Sequence, residues 1–140
     1  MSTSTAPSIR IPPSSPITIH IVFSETNYPL ANIPCTLRAS NPSSPSEGFY
    51  QATTDLSGWI RHWDLYAPQG CVAVEDVQER VNRYGIQQPR GWVWHVNLKL
   101  PSQELRTTST GLDIGFWVRA GEAVGVVVHV GRNGYNVLVG

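Results

Sequence analysis

Charge is scarce in this 140-residue chain: 14% of its residues are Asp, Glu, Lys or Arg, and ten basic side chains balance ten acidic ones. A neutral field of this kind excludes electrostatic nucleic-acid binding, which needs a basic surface. Lys99 is the single lysine beside nine arginines, so no polybasic patch is available for an anionic membrane. No apolar run approaches the roughly 18 to 20 residues that a bilayer-spanning helix requires. The opening MSTSTAPSIRIPPSSP contains no apolar stretch of the secretory kind, so the expectation is a cytoplasmic protein. Cysteine is limited to Cys35 and Cys71. Two lone cysteines suit a reduced compartment in which both are small core residues, and a disulfide between them is disfavoured.

Several chemistries are missing as well. The chain has no phosphate-cradling GxxxxGKS/T or GxGxxG loop and no GxSxG nucleophile elbow. No CxxC pair or Cys/His cluster has metal-ligand spacing, so no metal and no cofactor is implied. Carboxylates are scattered through turns and one helix, and His20, His62, His95 and His129 fall on four separate expected strands with no HxH or HExxH spacing. The last three read as ordinary solvated or hydrogen-bonded strand histidines.

What is present is β-structure. Residues 1–16 are mostly Ser, Thr and Pro and bury too little to offset their ordering entropy, so they read as a tail, with one domain over 17–140. In ITIHIVF, Ile17, Ile19, Ile21 and Phe23 share the core face, and Thr18, His20 and Val22 share the other. Further strands are expected at 33–39, 49–54, 59–64, along WVWHVNLKL, and near 114–119, 123–130 and 134–139. Asn27-Tyr-Pro29 supplies one turn, and Asp55-Leu-Ser-Gly58 another, with Gly where positive φ is wanted. The polar runs 40–48 and 102–111 read as loops, and Asn-Gly inside Gly131-Arg-Asn-Gly134 as a hairpin turn. Val74, Val77, Val81 and Tyr84 recur at helical spacing, with acids early, arginines late and Gly85 placed as a C-cap. The sum is an all-β sandwich of seven to eight strands with one short helix. Trp92 and Trp94 fall on its core side, whereas Trp59 and Trp63 share a strand face with Arg61 between them, as either core or a ligand-stacking surface.

Three stretches carry a family resemblance. The string HIVFSETNYPLANIPCTL, from His20 through Pro29 and Ala31 to Ile33, resembles the opening of the transthyretin/5-hydroxyisourate hydrolase family, where a first-strand His precedes a turn and a Pro. TTDLSGWI at 53–60 resembles that family's Asp-x-x-Gly-Arg-Ile turn, and GEAVGVVVHVGRNGYNVLVG its long hairpin into a His-Tyr-His-Val-Pro-Leu-Leu-Leu strand. Placing WHVNLKLP and His95 on that strand instead would leave two or three strands over after Pro101. The resemblance spans about residues 17–140 and implies a transthyretin-like β-sandwich that assembles as a homo-oligomer, dimer or tetramer.

Departures from the family pattern decide what the resemblance implies about activity. Its hydrolases use the first-strand His, the turn Arg, a second late-strand His and a C-terminal Tyr-Arg-Gly-Ser. Here His20 keeps the first, Trp59 stands for the Arg, Asn136 stands for the second His, and the sequence ends at Gly140. Loss of even one transition-state donor typically costs about 2.7 to 4 kcal/mol, so hydrolysis of 5-hydroxyisourate is not the expectation. The surface bounded by His20, Val22, Trp59, Arg61, Asn136 and Leu138, with Trp63 as a further wall, is instead suited to a hydrophobic small-molecule substrate. Three functions stay open. One is a cofactor-free cyclase of intramolecular Diels–Alder type acting on a terpenoid or polyketide intermediate, as in a fungal norbornene-forming enzyme, with His20, Arg61 or Asn136 donating to a carbonyl. Another is a hydrolase or isomerase using His20 as base, its activity rising with pH through about 6.5. The third is a hydrophobic-ligand-binding protein without turnover.

Overall fold

The computed structural model describes residues 14–40, 48–66, 75–100, 111–132 and 134–140. Cys71, residues 1–13 and most of the two expected polar loops lie outside these. Alternation builds the first strand, β1 (Ile17–Phe23): Ile17, Ile19 and Ile21 are fully buried on one side, and Thr18 and His20 lie on the other. The remaining elements are β2 (Pro34–Ala39), β3 (Phe49–Thr53), β4 (Trp59–Ile60), β5 (Asp64–Tyr66), α1 (Val77–Gln87), β6 (Trp92–Leu98), β7 (Leu112–Val118), β8 (Val124–Gly131) and β9 (Gly134–Val139). They form a four-stranded sheet, β4-β1-β8-β9, and a five-stranded sheet, β5-β3-β2-β6-β7. The core lies between the two. Ile17, Ile19, Ile21, Val126 and Val128 of the first sheet meet Leu37, Tyr50, Trp94, Val96 and Leu98 of the second in one buried cluster. Cys35 sits in it as a free thiol, and burial pushes its pKa up to about 12, which leaves it unreactive at neutral pH.

The strand expected over 59–64 is broken in two, which raises the number of strands among the described residues to nine. Trp59–Ile60 pairs with β1, and three residues later Asp64–Tyr66 pairs with β3 in the opposite sheet. Residues 61–63 are the crossing, and the segment before β1 holds them. Ser15 N–H donates to Arg61 O at 2.7 Å, and the Trp63 indole N–H donates to Ile17 O at 2.9 Å. The Asp55–Gly58 turn is therefore a corner between sheets and not the end of a hairpin. Gly58 has φ +78° there, and a Cβ on it would lie 2.5 Å from Ile21 O, so the corner needs glycine twice over. The hairpin at 131–134 does form, with Gly131 opposite Gly134.

Helix α1 starts later and ends later than its sequence pattern suggests. Asp76 is its N-cap, accepting from Glu79 N–H, while the Glu79 side chain accepts from Asp76 N–H in a capping box. Gly85 is not the C-cap; the helix runs on to Gln87. Gly85 is required by packing, because a Cβ there would meet Ala120 Cβ at 2.6 Å. The arginines also serve a purpose other than the helix dipole. Arg80 is buried, with Nε 2.9 Å from Glu75 Oε1, and Arg83 Nη2 is 2.6 Å from the same oxygen. Arg80 also lies over the Tyr50 ring, 4.8 Å from its centroid, and the Tyr50 hydroxyl donates to Glu75 O. This cluster ties the helix to β3. The bond from Arg83, helped by the one from Arg80, holds the Glu75 carboxyl below the usual carboxylate range against the opposing effect of burial.

A group whose folded pKa is lowered contributes stability that is complete above its unfolded pKa and is lost as pH falls through the folded value. Glu75→Gln is accordingly expected to cost about 3 kcal/mol at neutral pH, measured by urea unfolding. The difference between variant and wild type should shrink as the pH is lowered through the carboxylate range. A constant difference across that range would show that the carboxylate charge is not what matters.

Candidate functional site

The outer face of the four-stranded sheet is set by register. His20 pairs with Trp59 on one side and with Val127 on the other, and Val127 pairs with Leu138. One row of side chains, Trp59–His20–Val127–Leu138, therefore crosses all four strands on the side away from the core. The next row runs Val22–His129–Asn136. At the normal strand spacing, His20 and Leu138 are about 10 Å apart.

His20 is held on two sides. Its imidazole stacks on the Trp59 indole, with centroids 4.2 Å apart and planes 6° from parallel. Its Nε2 lies 3.1 Å from Ser57 O. A carbonyl only accepts, so Nε2 carries the proton and Nδ1 of the neutral ring holds the lone pair. Trp59 in turn receives the Arg61 guanidinium, 4.5 Å from the ring centroid. The Asp55 carboxylate places this group. Its Oδ1 accepts from Ser57 N–H and Trp59 N–H, both at 2.9 Å, and its Oδ2 lies 3.8 Å from Arg61 Nη1. The Asp55–Arg61 contact is half-exposed and worth little in stability, so Arg61 remains able to donate to a ligand.

At the β8–β9 side of the same face a groove of about 560 Å³ is lined by Ser24, Glu25, His129, Asn136 and Leu138, among others, and His20, Trp59 and Arg61 are not in its lining. The structure thus brings His20, Trp59 and Arg61 into contact, and places Asn136 and Leu138 on the same face two strands away. Two expected members do not join them. Val22 is buried, because the turn at 27–30 folds back beside β1 and bridges Val22 to Pro29. Trp63 lies on the crossing segment and packs against the core, beside Pro16, His62 and Val77 near the start of α1. Trp59 and Trp63 share no strand face, since no strand joins them. Conversely, Val127 and His129 belong to the face, although neither is in the site expected from sequence, where His129 reads as an ordinary strand histidine. The alternation VVVHV places the two on one side, but only the parallel pairing with β1 shows that this side carries His20. Among the described residues no group of three or more His, Cys, Asp or Glu could hold a metal ion.

No protein-family model matches the sequence, and no curated protein matches it. Solved structures do. The 5-hydroxyisourate hydrolase of Klebsiella pneumoniae superposes with a TM-score of 0.56 at 14% identity, over 89% of this chain and 97% of that one. The fold is transthyretin-like. Sea bream transthyretin, solved in complex with thyroxine, superposes with a TM-score of 0.57 at 9% identity, over 89% of this chain and 94% of that one. Transthyretin from Sparus aurata gives 0.55 at 9% identity, over 90% and 97%. At such identities the likeness carries the architecture alone. No described helix of this transthyretin-like chain is long and apolar enough to cross a membrane.

The stacked arrangement has a spectroscopic signature. The indole ring current should displace the His20 ring protons upfield, and Trp59→Ala should return them toward unstructured values while the β1 amide resonances stay folded. Unmoved His20 ring protons in that variant would contradict the stacking geometry.

Proposed function

We propose that the outer face of the four-stranded sheet binds a hydrophobic small molecule and acts on it as a cofactor-free cyclase of the intramolecular Diels–Alder type. Its substrate would be a terpenoid or polyketide intermediate of fungal secondary metabolism. The observation that carries this reading is the His20–Trp59–Arg61 group beside Val127 and Leu138: aromatic and aliphatic surface with the half-exposed Arg61 as a multiple donor. A pericyclic step needs little more. Holding a flexible chain in its reactive fold lowers the barrier through entropy. A hydrogen bond to an activating carbonyl that strengthens by about 1.4 kcal/mol in the transition state adds tenfold in rate.

The contacts divide the labour among the residues. His20 spends its Nε2 proton on Ser57 O, so the neutral ring serves as wall and acceptor, and Arg61 is the donor to the carbonyl. Asn136, exposed on β9 at the far side, is the second donor and fixes the other end of the substrate. Trp59 and Leu138 supply the apolar contacts. The face is open, and a second copy of the chain would wall it. Tyr135, Leu138 and Val139 of the edge strand β9 are each about half exposed, which suits burial in a homodimer or tetramer.

A second reading is favoured by the same tautomer. With Nε2 pinned, Nδ1 is a base, and a hydrolase or isomerase would use it to activate water or take a substrate proton. A ligand-binding protein without turnover would use the same surface.

Parallel assays with a linear polyene aldehyde bearing a diene and a dienophile, and with 5-hydroxyisourate, separate these. The expected result is cyclised product above background from the first and no accelerated decay of the second. Arg61→Ala is expected to slow cyclisation about tenfold. Rapid decay of 5-hydroxyisourate that His20→Ala abolishes would establish the hydrolase instead. Saturable binding with neither reaction would leave the binding protein.

A further inference from the structure

The opposite side of the sandwich carries a second constellation that the reading above does not use. On the outer face of the five-stranded sheet, the register sets Tyr66 beside Phe49 and Arg38 beside His95. Phe49 stacks on Tyr66 with centroids 4.9 Å apart, and the Arg38 guanidinium carbon lies 5.9 Å from the Phe49 centroid. His95 Nδ1 lies 3.3 Å from Asp113 Oδ2, an ion pair when the ring is protonated, and Nε2 is the ring nitrogen away from that carboxylate. The ring occupies space that only glycine leaves. A Cβ on Gly115, directly across on β7, would stand 3.2 Å from His95 Cε1 and 3.3 Å from Nδ1. Arg38, Phe49, His95 and Asp113 border a groove of about 660 Å³ that also takes in Thr36, Asn97 and Lys99.

Charge here is unbalanced. Among the described residues Asp113 is engaged with His95, while neither Arg38 nor Lys99 has a carboxylate partner. Two cations against the single carboxylate of Asp113 leave the groove net positive and attract an anion, and the flat guanidinium of Arg38 matches a carboxylate in a two-pronged geometry. The stacked Phe49–Tyr66 pair next to it offers an aromatic platform about one strand spacing, roughly 5 Å, away. We infer that this groove binds a planar aromatic carboxylate, its ring on Phe49 and its carboxylate between Arg38 and Lys99, with His95 Nε2 as a further polar contact. Asn97, half-buried in the lining of the groove, adds an amide donor.

The site is independent of the proposed reaction, since it lies on the other sheet. Naphthalene-2-carboxylate titrated into the full-length protein, followed by amide and side-chain NMR, tests it directly. The expected result is saturable shift changes centred on Arg38, Phe49, His95 and Gly115. Arg38→Gln should weaken binding at least tenfold, and raising the salt concentration should weaken it as well. The neutral naphthalene-2-carboxamide and inorganic phosphate should each bind at least tenfold more weakly than the acid. The inference is overturned by non-saturating shifts, by shifts centred on the four-stranded sheet, by equal affinity for the carboxamide or phosphate, or by unchanged affinity in Arg38→Gln.

Discussion

The parallel pairing of β1 with β8 is the constraint on which the rest of the molecule depends. Seven consecutive residue pairs, from Ile17–Val124 to Phe23–Val130, join the first strand to one more than a hundred residues later. Parallel neighbours cannot be linked by a tight turn, so the chain between them must leave the sheet and return, touching it at β4 on the way. The intervening chain uses that excursion to build the whole five-stranded sheet and the helix. Because side chains alternate, the same pairing also fixes the two faces at once. Ile19 and Val126 go into the core, and His20 and Val127 go outward. A slip of one residue would exchange them.

The candidate site inherits its order from this register and from the corner at Gly58. The corner lies against Ile21 O, with Ile21 N–H donating to Gly58 O at 2.9 Å. Such closeness puts Ser57 O within reach of His20 and lays Trp59 along it. Asp55 then fixes the turn through backbone N–H groups at 57 and 59 and stands beside Arg61. Three side chains on different local structures, one mid-strand, one at a strand start and one on a crossing segment, therefore form a single stacked group without a buried charge.

Much of the strand layout was legible in the sequence because it is local. The alternation in ITIHIVF and WVWHVNL, and the hairpin that sets Gly131 opposite Gly134, depend only on near neighbours, and so did the placement of Trp94 in the core. The rest was hidden because non-local contacts decide it. The strand expected over 59–64 breaks where Ser15 N–H donates to Arg61 O and Ile17 O accepts from the Trp63 indole, and that break carries Trp63 away from Trp59. Val22 has the alternation of a surface position but is covered by the returning turn at Pro29. Gly85 resembled a helix terminator because its true role, room for Ala120, lies across the fold. The face shared by His20 and His129 needed the β1–β8 register. Neither strand alone contains that information.

The central claim is that the face carrying His20, Trp59, Val127 and Leu138 is where a hydrophobic substrate lies. The most direct measurement is NMR shift mapping of the labelled protein with a saturated analogue of the linear polyene aldehyde, which can bind but not cyclise. The account predicts saturable changes running across all four strands, at His20, the Trp59 indole N–H, Val127 and Leu138, with the Arg61 guanidinium shifting as well. Changes confined to the core-facing positions or to the five-stranded sheet, with this row unmoved, would contradict it.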